Sequence, residues 1–284
     1  MTRSVLSFLL LLPALLVTAP ARADELPTYL EDRGPGVPTS MFGTYITKHQ
    51  LLIYPFYEYY IDNDLEYSPS ELGYNLDEDF RGRYRAHEFL IFFGYGIADW
   101  LAVEFEAALH INASLETAPN DPTGAPSKIE EKGTGDVEAQ IRARLMRETA
   151  SRPELFTYFE AVSPQQEGKV LIGTPDWELK LGIGLIRGFS WGTMTFRIAG
   201  EYSLEEDKAD LGEYAVEYLN RVSPKWRLYL GVEGSQDELA LIPEAQWHIR
   251  RDRIIVKLNS AFGVTSKATD WAPEVGVLFA LGGS

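Results

Sequence analysis

The sequence holds few residues able to do covalent chemistry. It has four histidines, His49, His87, His110 and His248, and no cysteine. His110 with Asn112 and Ser114 supplies the residue types of a nucleophilic triad. The three share one parity of an alternating segment, and no carboxylate or glycine-rich oxyanion loop is fixed beside them. That pattern points to a histidine in a polar wall rather than to a catalytic base. No G-x-S-x-G, H-E-x-x-H or phosphate-binding glycine loop occurs. Asp62-Asn63-Asp64-Leu65-Glu66 and Asp77-Glu78-Asp79 carry oxygen ligands suited to a divalent cation, but they lack the turn glycine and spacing of a calcium loop and read as solvated acidic loops. Without cysteine there is no disulfide, no Cys-ligated metal and no lipid anchor on a thiol. The expectation is a protein that is not an enzyme and needs no cofactor, with a hydrolase acting through His110 as the remote alternative.

The chemistry that remains is that of charged side chains at alternate positions. In residues 133–145, GTGDVEAQIRARL, Val137, Ala139, Ile141, Ala143 and Leu145 are apolar. Asp136, Glu138, Gln140, Arg142 and Arg144 between them are polar or charged. Period two is that of a β-strand, so one face of this strand is greasy and the other highly charged. Twelve such extended segments are expected. They lie at 50–60, 83–95, 100–112, 136–145, 154–162 and 177–187, then at 191–202, 212–222, 226–234, 239–250, 253–264 and 273–281. Each has the length a tilted strand needs to cross a bilayer, longer than the usual soluble strand of about 5–6 residues. The segments at 50–60, 154–162 and 239–250 alternate poorly.

The connections alternate too. Those at 61–82, 113–135, 163–176 and 203–211 are long and polar, whereas Gly96-Ile97-Ala98-Asp99, Gly188-Phe189-Ser190, Ser223-Pro224-Lys225 and Arg251-Asp252 are tight. The stretch 146–153 is the one longer member of the tight set, and 235–238 the one short member of the long set. Short turns on one side and long loops on the other are the pattern of an outer-membrane barrel, with the turns in the periplasm. Trp100, Trp191 and Trp226 follow tight turns and Trp177 and Trp271 follow long loops, which sets five of the six tryptophans at strand ends. Amphipathic rings favour that interfacial level. Tyr54, Tyr57, Tyr59 and Tyr60 suit either a lipid interface or the stacking of an aromatic solute.

These observations predict an all-β fold, a transmembrane antiparallel up-and-down barrel of about twelve strands spanning residues 49–284. Its apolar face looks at lipid and its polar face lines a lumen. The lumen candidates are Glu104, Glu106 and His110 from one strand and Glu138, Gln140, Arg142 and Arg144 from the next. Lys180, Arg197, Glu201 and Lys257 come from later strands. Aligning neighbouring strands at their turn ends sets Leu101 near Leu145 and Glu104 opposite Arg142; a slip of two residues would put Arg142 opposite Glu106 or Ala102.

At the start of the chain, Arg3, an apolar run over 5–17 and Ala21-Arg22-Ala23 have the pattern of a signal peptide, residues 1–23, cut before Asp24. Residues 24–48 are then a periplasmic lead. Loss of Arg3 and Arg22 takes the net charge from −16 to −18, which argues against nucleic acid as a partner. The expected location is the bacterial outer membrane, and the expected partners are its lipid and a small-molecule solute.

GYGIADWLAVEFE (94–106), GTGDVEAQIRARL (133–145) and IGTPDWELKLGIGL (172–185) resemble the outer-membrane proteins of the "meta-pathway of phenol degradation" family. The resemblance runs from about Arg83 onward and lies in turn and strand signatures. It departs after the fifth strand, where this chain reads Val162-Ser163-Pro164-Gln165-Gln166 in place of a Leu-Pro-Thr-Gly type of stretch. It implies an outer-membrane barrel that takes up small organic molecules, often aromatic. The alternative function is a structural or adhesive barrel acting through its acidic loops.

Overall fold

The computed structural model describes residues 35–283 apart from 167, 205–206 and 251–252. The expected signal peptide and the first part of the lead lie outside the described residues. After a hairpin of two short strands, β1 (Val37–Pro38) and β2 (Tyr45–Ile46), come β3 (Gln50–Tyr67), β4 (Phe80–Ala98), β5 (Leu101–Glu116), β6 (Lys128–Gly133) and β7 (Val137–Met146). They are followed by β8 (Glu154–Ser163), β9 (Glu178–Phe189), β10 (Gly192–Ser203) and β11 (Lys208–Arg221). The last four are β12 (Trp226–Ser235), β13 (Glu238–Arg250), β14 (Ile254–Gly263) and β15 (Trp271–Gly282). Among the described residues the only helical element is a single 3-10 turn, Pro69–Leu72.

From β3 onward consecutive strands pair antiparallel, save β6 and β7, and β15 closes the ring on β3. β6 and β7 both pair with β5 and form one interrupted stave, so the closed barrel has twelve. Closure leaves no sheet edge, which a bilayer requires because lipid offers backbone groups no partners. The outer surface is apolar: Phe105, Ile141, Phe159, Ile183, Phe196, Ile198 and Leu258 are all exposed. So are all six tryptophans. Trp247, outside the sequence-based pattern, is paired with Trp226 across β12 and β13 with the rings stacked, so it too sits at the short-turn end.

β3 and β4 run furthest beyond their expected length. The hairpin of β3 and β4 stays paired through Leu65↔Gly82, Glu66↔Arg81 and Tyr67↔Phe80, with Arg81 bonded to Glu66 at 2.5 Å. Tyr67, Leu72, Phe80, Leu115 and Ala118 form a buried apolar cluster there, which lets the sheet continue past the apolar belt.

The register between β5 and β7 sits two residues from the turn-aligned expectation. Leu101 lies opposite Ala143, Ala102 opposite Arg142 and Glu104 opposite Gln140. Strands of a closed barrel are staggered by its shear, so neighbouring strand ends do not line up. Parity is unaffected by a shift of two, and Gln140, Arg142 and Arg144 are buried on the inside while Ile141 and Leu145 are exposed outside.

Candidate functional site

The site is the lumen, and the chain closes part of it with its own N-terminal segment. The described part of the lead enters at the short-turn end. Val37 and Ile46 are wholly buried there against Leu52, Tyr54, Phe56, Phe92 and Leu278. There is no slack between backbone and wall: a Cβ on Gly96 would lie 1.9 Å from the Thr47 carbonyl oxygen. Wall side chains then bind the segment's backbone. Arg144 donates to the carbonyls of Pro35 (2.9 Å) and Gly36, and Gln246 and Lys257 donate to that of Phe42 at 2.9 and 3.0 Å. Glu104 accepts from the Ser40 amide at 3.0 Å and its hydroxyl at 2.6 Å. The Phe42 ring stacks on Tyr229 with centroids 4.4 Å apart. We call residues 36–47 the plug.

Around and above the plug, wall charges are paired. Arg142 lies 3.8 Å from Glu104 and covers the rings of Phe156 and Tyr158. Lys257 lies 3.8 Å from Glu244, and Arg144 lies 3.9 Å from Glu154. Arg197 reaches Glu213 and Glu217 at 3.0 Å each and Glu233 at 2.5 Å. Lys180 spans Glu160 (3.2 Å) and Glu201 (3.5 Å), and the Gln140 amide donates to Glu160.

Toward the long loops the lumen opens into two cavities of about 410 and 260 Å³, both lined by Glu58 and Tyr60. The loop between β8 and β9 folds over the smaller one. Its Val170 and Leu171 amides donate to the Glu131 carboxylate at 2.8 Å each, and its Thr174 amide donates to Asp136 at 2.9 Å. Ile172 is thereby buried among Ala86, Ala108, Ile111 and Ala113. In the loop after β5, hydrogen bonds from Thr123 and Tyr67 hold the Asp121 carboxyl below the usual carboxylate range. Lys267, hydrogen-bonded to Asp237 between outer loops, is pushed up.

The structure turns Glu104, Glu106, Glu138, Gln140, Arg142, Arg144, Lys180, Arg197, Glu201 and Lys257 into this lumen. His110 is corrected. A β-bulge separates the pairs Phe89↔His110 and Leu90↔Ala108, so Leu109 and His110 both face outward. The cause is local: Gly135 and Asp136 take the backbone bonds of Ala108, and Ile111 turns inward under Ile172. His110 therefore sits on the outer wall with His87, Asn112 and Tyr57. No hydrogen bond joins His110 to Ser114 among the described residues.

Several lumen residues had no candidate status in the sequence: Glu58, Glu88, Glu244, Gln246 and Glu274, and Ser40 and Phe42 of the plug. The strands carrying Glu58 and Glu244 are two of those that alternate poorly. Their inward positions mix charge with large apolar groups, because part of the wall faces the plug and part faces water.

The arrangement is a closed twelve-stranded barrel with an apolar outer wall and a charged, partly hollow lumen. No family model matches the chain, and no curated protein does. Solved structures share the fold. The COG4313 outer membrane channel from Pseudomonas putida F1 aligns at 10% identity and a TM-score of 0.58, over 83% of this chain and 97% of that one. The KdgM porin, solved in complex with disordered oligogalacturonate, aligns at 6% identity and a TM-score of 0.50, over 81% and 99%.

Proposed function

We propose that the protein is an outer-membrane channel passing small organic solutes by passive diffusion, with its short turns in the periplasm and residues 1–23 removed as a signal peptide. The observation that carries this reading is a lumen with outer cavities, lined by charge and stopped at one end only by a segment of the chain itself. A wall built solely for stability would be filled by side chains from facing strands, as small barrels are. The turn and strand signatures that resemble the phenol-degradation family, and the fold shared with channels, favour transport of small organic molecules.

The plugged lumen favours one other reading, a structural barrel acting through its acidic loops. Planar-bilayer recording separates the two. The full chain should open rarely, and a chain lacking residues 36–47 should conduct steadily. A deletion that folds and inserts but stays silent would leave the structural reading.

A further inference from the structure

The short-turn end of the barrel carries charge of the opposite sign to the rest of the chain. Over the whole sequence the net charge is −16, and the long connection 61–82 alone holds seven carboxylates against one arginine. The short turns instead present Lys48, Arg147, Arg152, Lys225, Arg250 and Arg253 at the surface, and Asp99 is their one exposed carboxylate among the described residues. Glu148 and Glu154, at the same end, are buried against Arg187 and Arg144.

Two adjacent turns bring three of these cations together. The His248 amide donates to the Lys225 carbonyl at 2.8 Å and the Arg253 amide to the Arg250 carbonyl at 2.9 Å, which fixes Lys225, Arg250 and Arg253 at the ends of β12, β13 and β14. All three are exposed, and none forms an ion pair among the described residues; Asp252, in the second turn, lies outside them. A separate observation points to what covers them. The wall beside these cations is apolar: the Trp226 and Trp247 rings stack with centroids 5.9 Å apart, and Val222 and Ile249 are exposed at the same strand ends. Tryptophan favours the membrane–water interface, so the cations lie at headgroup level and the apolar side chains reach toward the acyl chains. A soluble anion would meet the charges and leave Val222 and Ile249 in water, whereas a lipid covers both.

We propose that this rim binds an anionic phospholipid, phosphatidylglycerol or its dimeric form cardiolipin, with the headgroup phosphates on Lys225, Arg250 and Arg253 and the acyl chains along Val222, Trp226 and Ile249. Lysine and arginine suit a phosphate because both stay charged and donate several charge-assisted hydrogen bonds. The interaction is separate from passage of a solute. It rests on the channel reading only for the leaflet, which is the inner one when the short turns face the periplasm.

Native mass spectrometry of the full chain in detergent, titrated with cardiolipin or with zwitterionic phosphatidylethanolamine, tests this. Cardiolipin should bind about tenfold or more tightly, the scale expected of several cations at an anionic headgroup. The triple variant Lys225→Gln/Arg250→Gln/Arg253→Gln should lose that preference. Lys128→Gln/Lys132→Gln/Lys208→Gln, which removes as much charge at the long-loop end, should keep it. All six side chains are exposed, so heat-modifiable gel mobility should remain that of a folded barrel. If the triple variant does not fold, Lys225→Gln alone should weaken cardiolipin binding in the same direction, and about 0.5 M sodium chloride should weaken it in the unaltered chain by screening. Equal retention of the two lipids, an unchanged preference in the folded rim variants, or an equal loss in the long-loop control overturns the proposal. So does displacement of cardiolipin by equimolar glycerol phosphate, which would assign the cations to a soluble anion. Failure of the orientation reading looks different: cardiolipin is held by the same residues, and protease added to intact cells cuts a tag placed in the turn at 188–190.

Discussion

Arg142 shows how far one residue could be understood from its spacing. Its inward direction follows from period two alone. Its energetic setting does not, because a charge on the wall of a water-filled pore would be screened and its pairing worth about 0–1 kcal/mol. In the structure the Arg142 and Glu104 side chains are 3% and 2% exposed, and Ser40 of the plug covers the carboxylate. Removing one partner of a buried pair leaves the other charge stranded. Arg142→Gln should therefore destabilise the barrel by about 3 kcal/mol, and the double variant with Glu104→Gln should recover most of that. Urea unfolding in lipid vesicles, followed by gel mobility, reads both. A loss below about 0.5 kcal/mol would mean that water screens the pair after all. His110 marks the opposite limit. Its facing depends on one inserted residue, Leu109, and a bulge leaves no mark in an apolar–polar alternation that continues on both sides of it.

At the scale of the strand, long stretches were legible because lipid imposes a simple rule on the outer face and the turn lengths punctuate it. The twelve staves, the tryptophan positions and most of the connections follow from that rule; the longer turn after β7 and the tight one after β12 do not. Poor alternation in two segments has a physical cause. Leu52, Tyr54 and Phe56 on β3 pack on the plug or beside it, as does Phe156 on β8 near Tyr45, so these strands are apolar on both faces where the plug lies. The outer-face rule makes a depth-dependent prediction. Ile141 is four residues further into the belt than Leu145, and both are exposed. Ile141→Arg should cost about 2–4 kcal/mol as a midplane cation, whereas Leu145→Arg, near the tryptophan level, should cost about 0–1 kcal/mol. Equal costs in the same unfolding experiment would place the belt at a different height.

At the scale of the whole molecule, the plug is what sequence reasoning left outside the barrel. Its residues are short, mixed in polarity and free of any period, so nothing local says that they fold inward. The information lies in the partners, spread from Glu104 on β5 to Lys257 on β14, and these converge only once the ring closes. On the proposed channel reading the plug must leave for solute to pass; each contact would then be lost, so removing one should shift the population from closed toward open. Phe42 is the contact best suited to show this, since its ring stacks on Tyr229 and its carbonyl, not its side chain, takes the bonds from Gln246 and Lys257. Truncation removes ring stacking and apolar burial worth about 1.5–3 kcal/mol while leaving the backbone bonds available. Phe42→Ala should therefore raise the open probability in planar bilayers by about tenfold or more, at about 1.4 kcal/mol per decade, without changing the conductance of the open state. An altered conductance at unchanged open probability would put the Phe42 ring on the path of the solute and leave the closure to some other part of the chain.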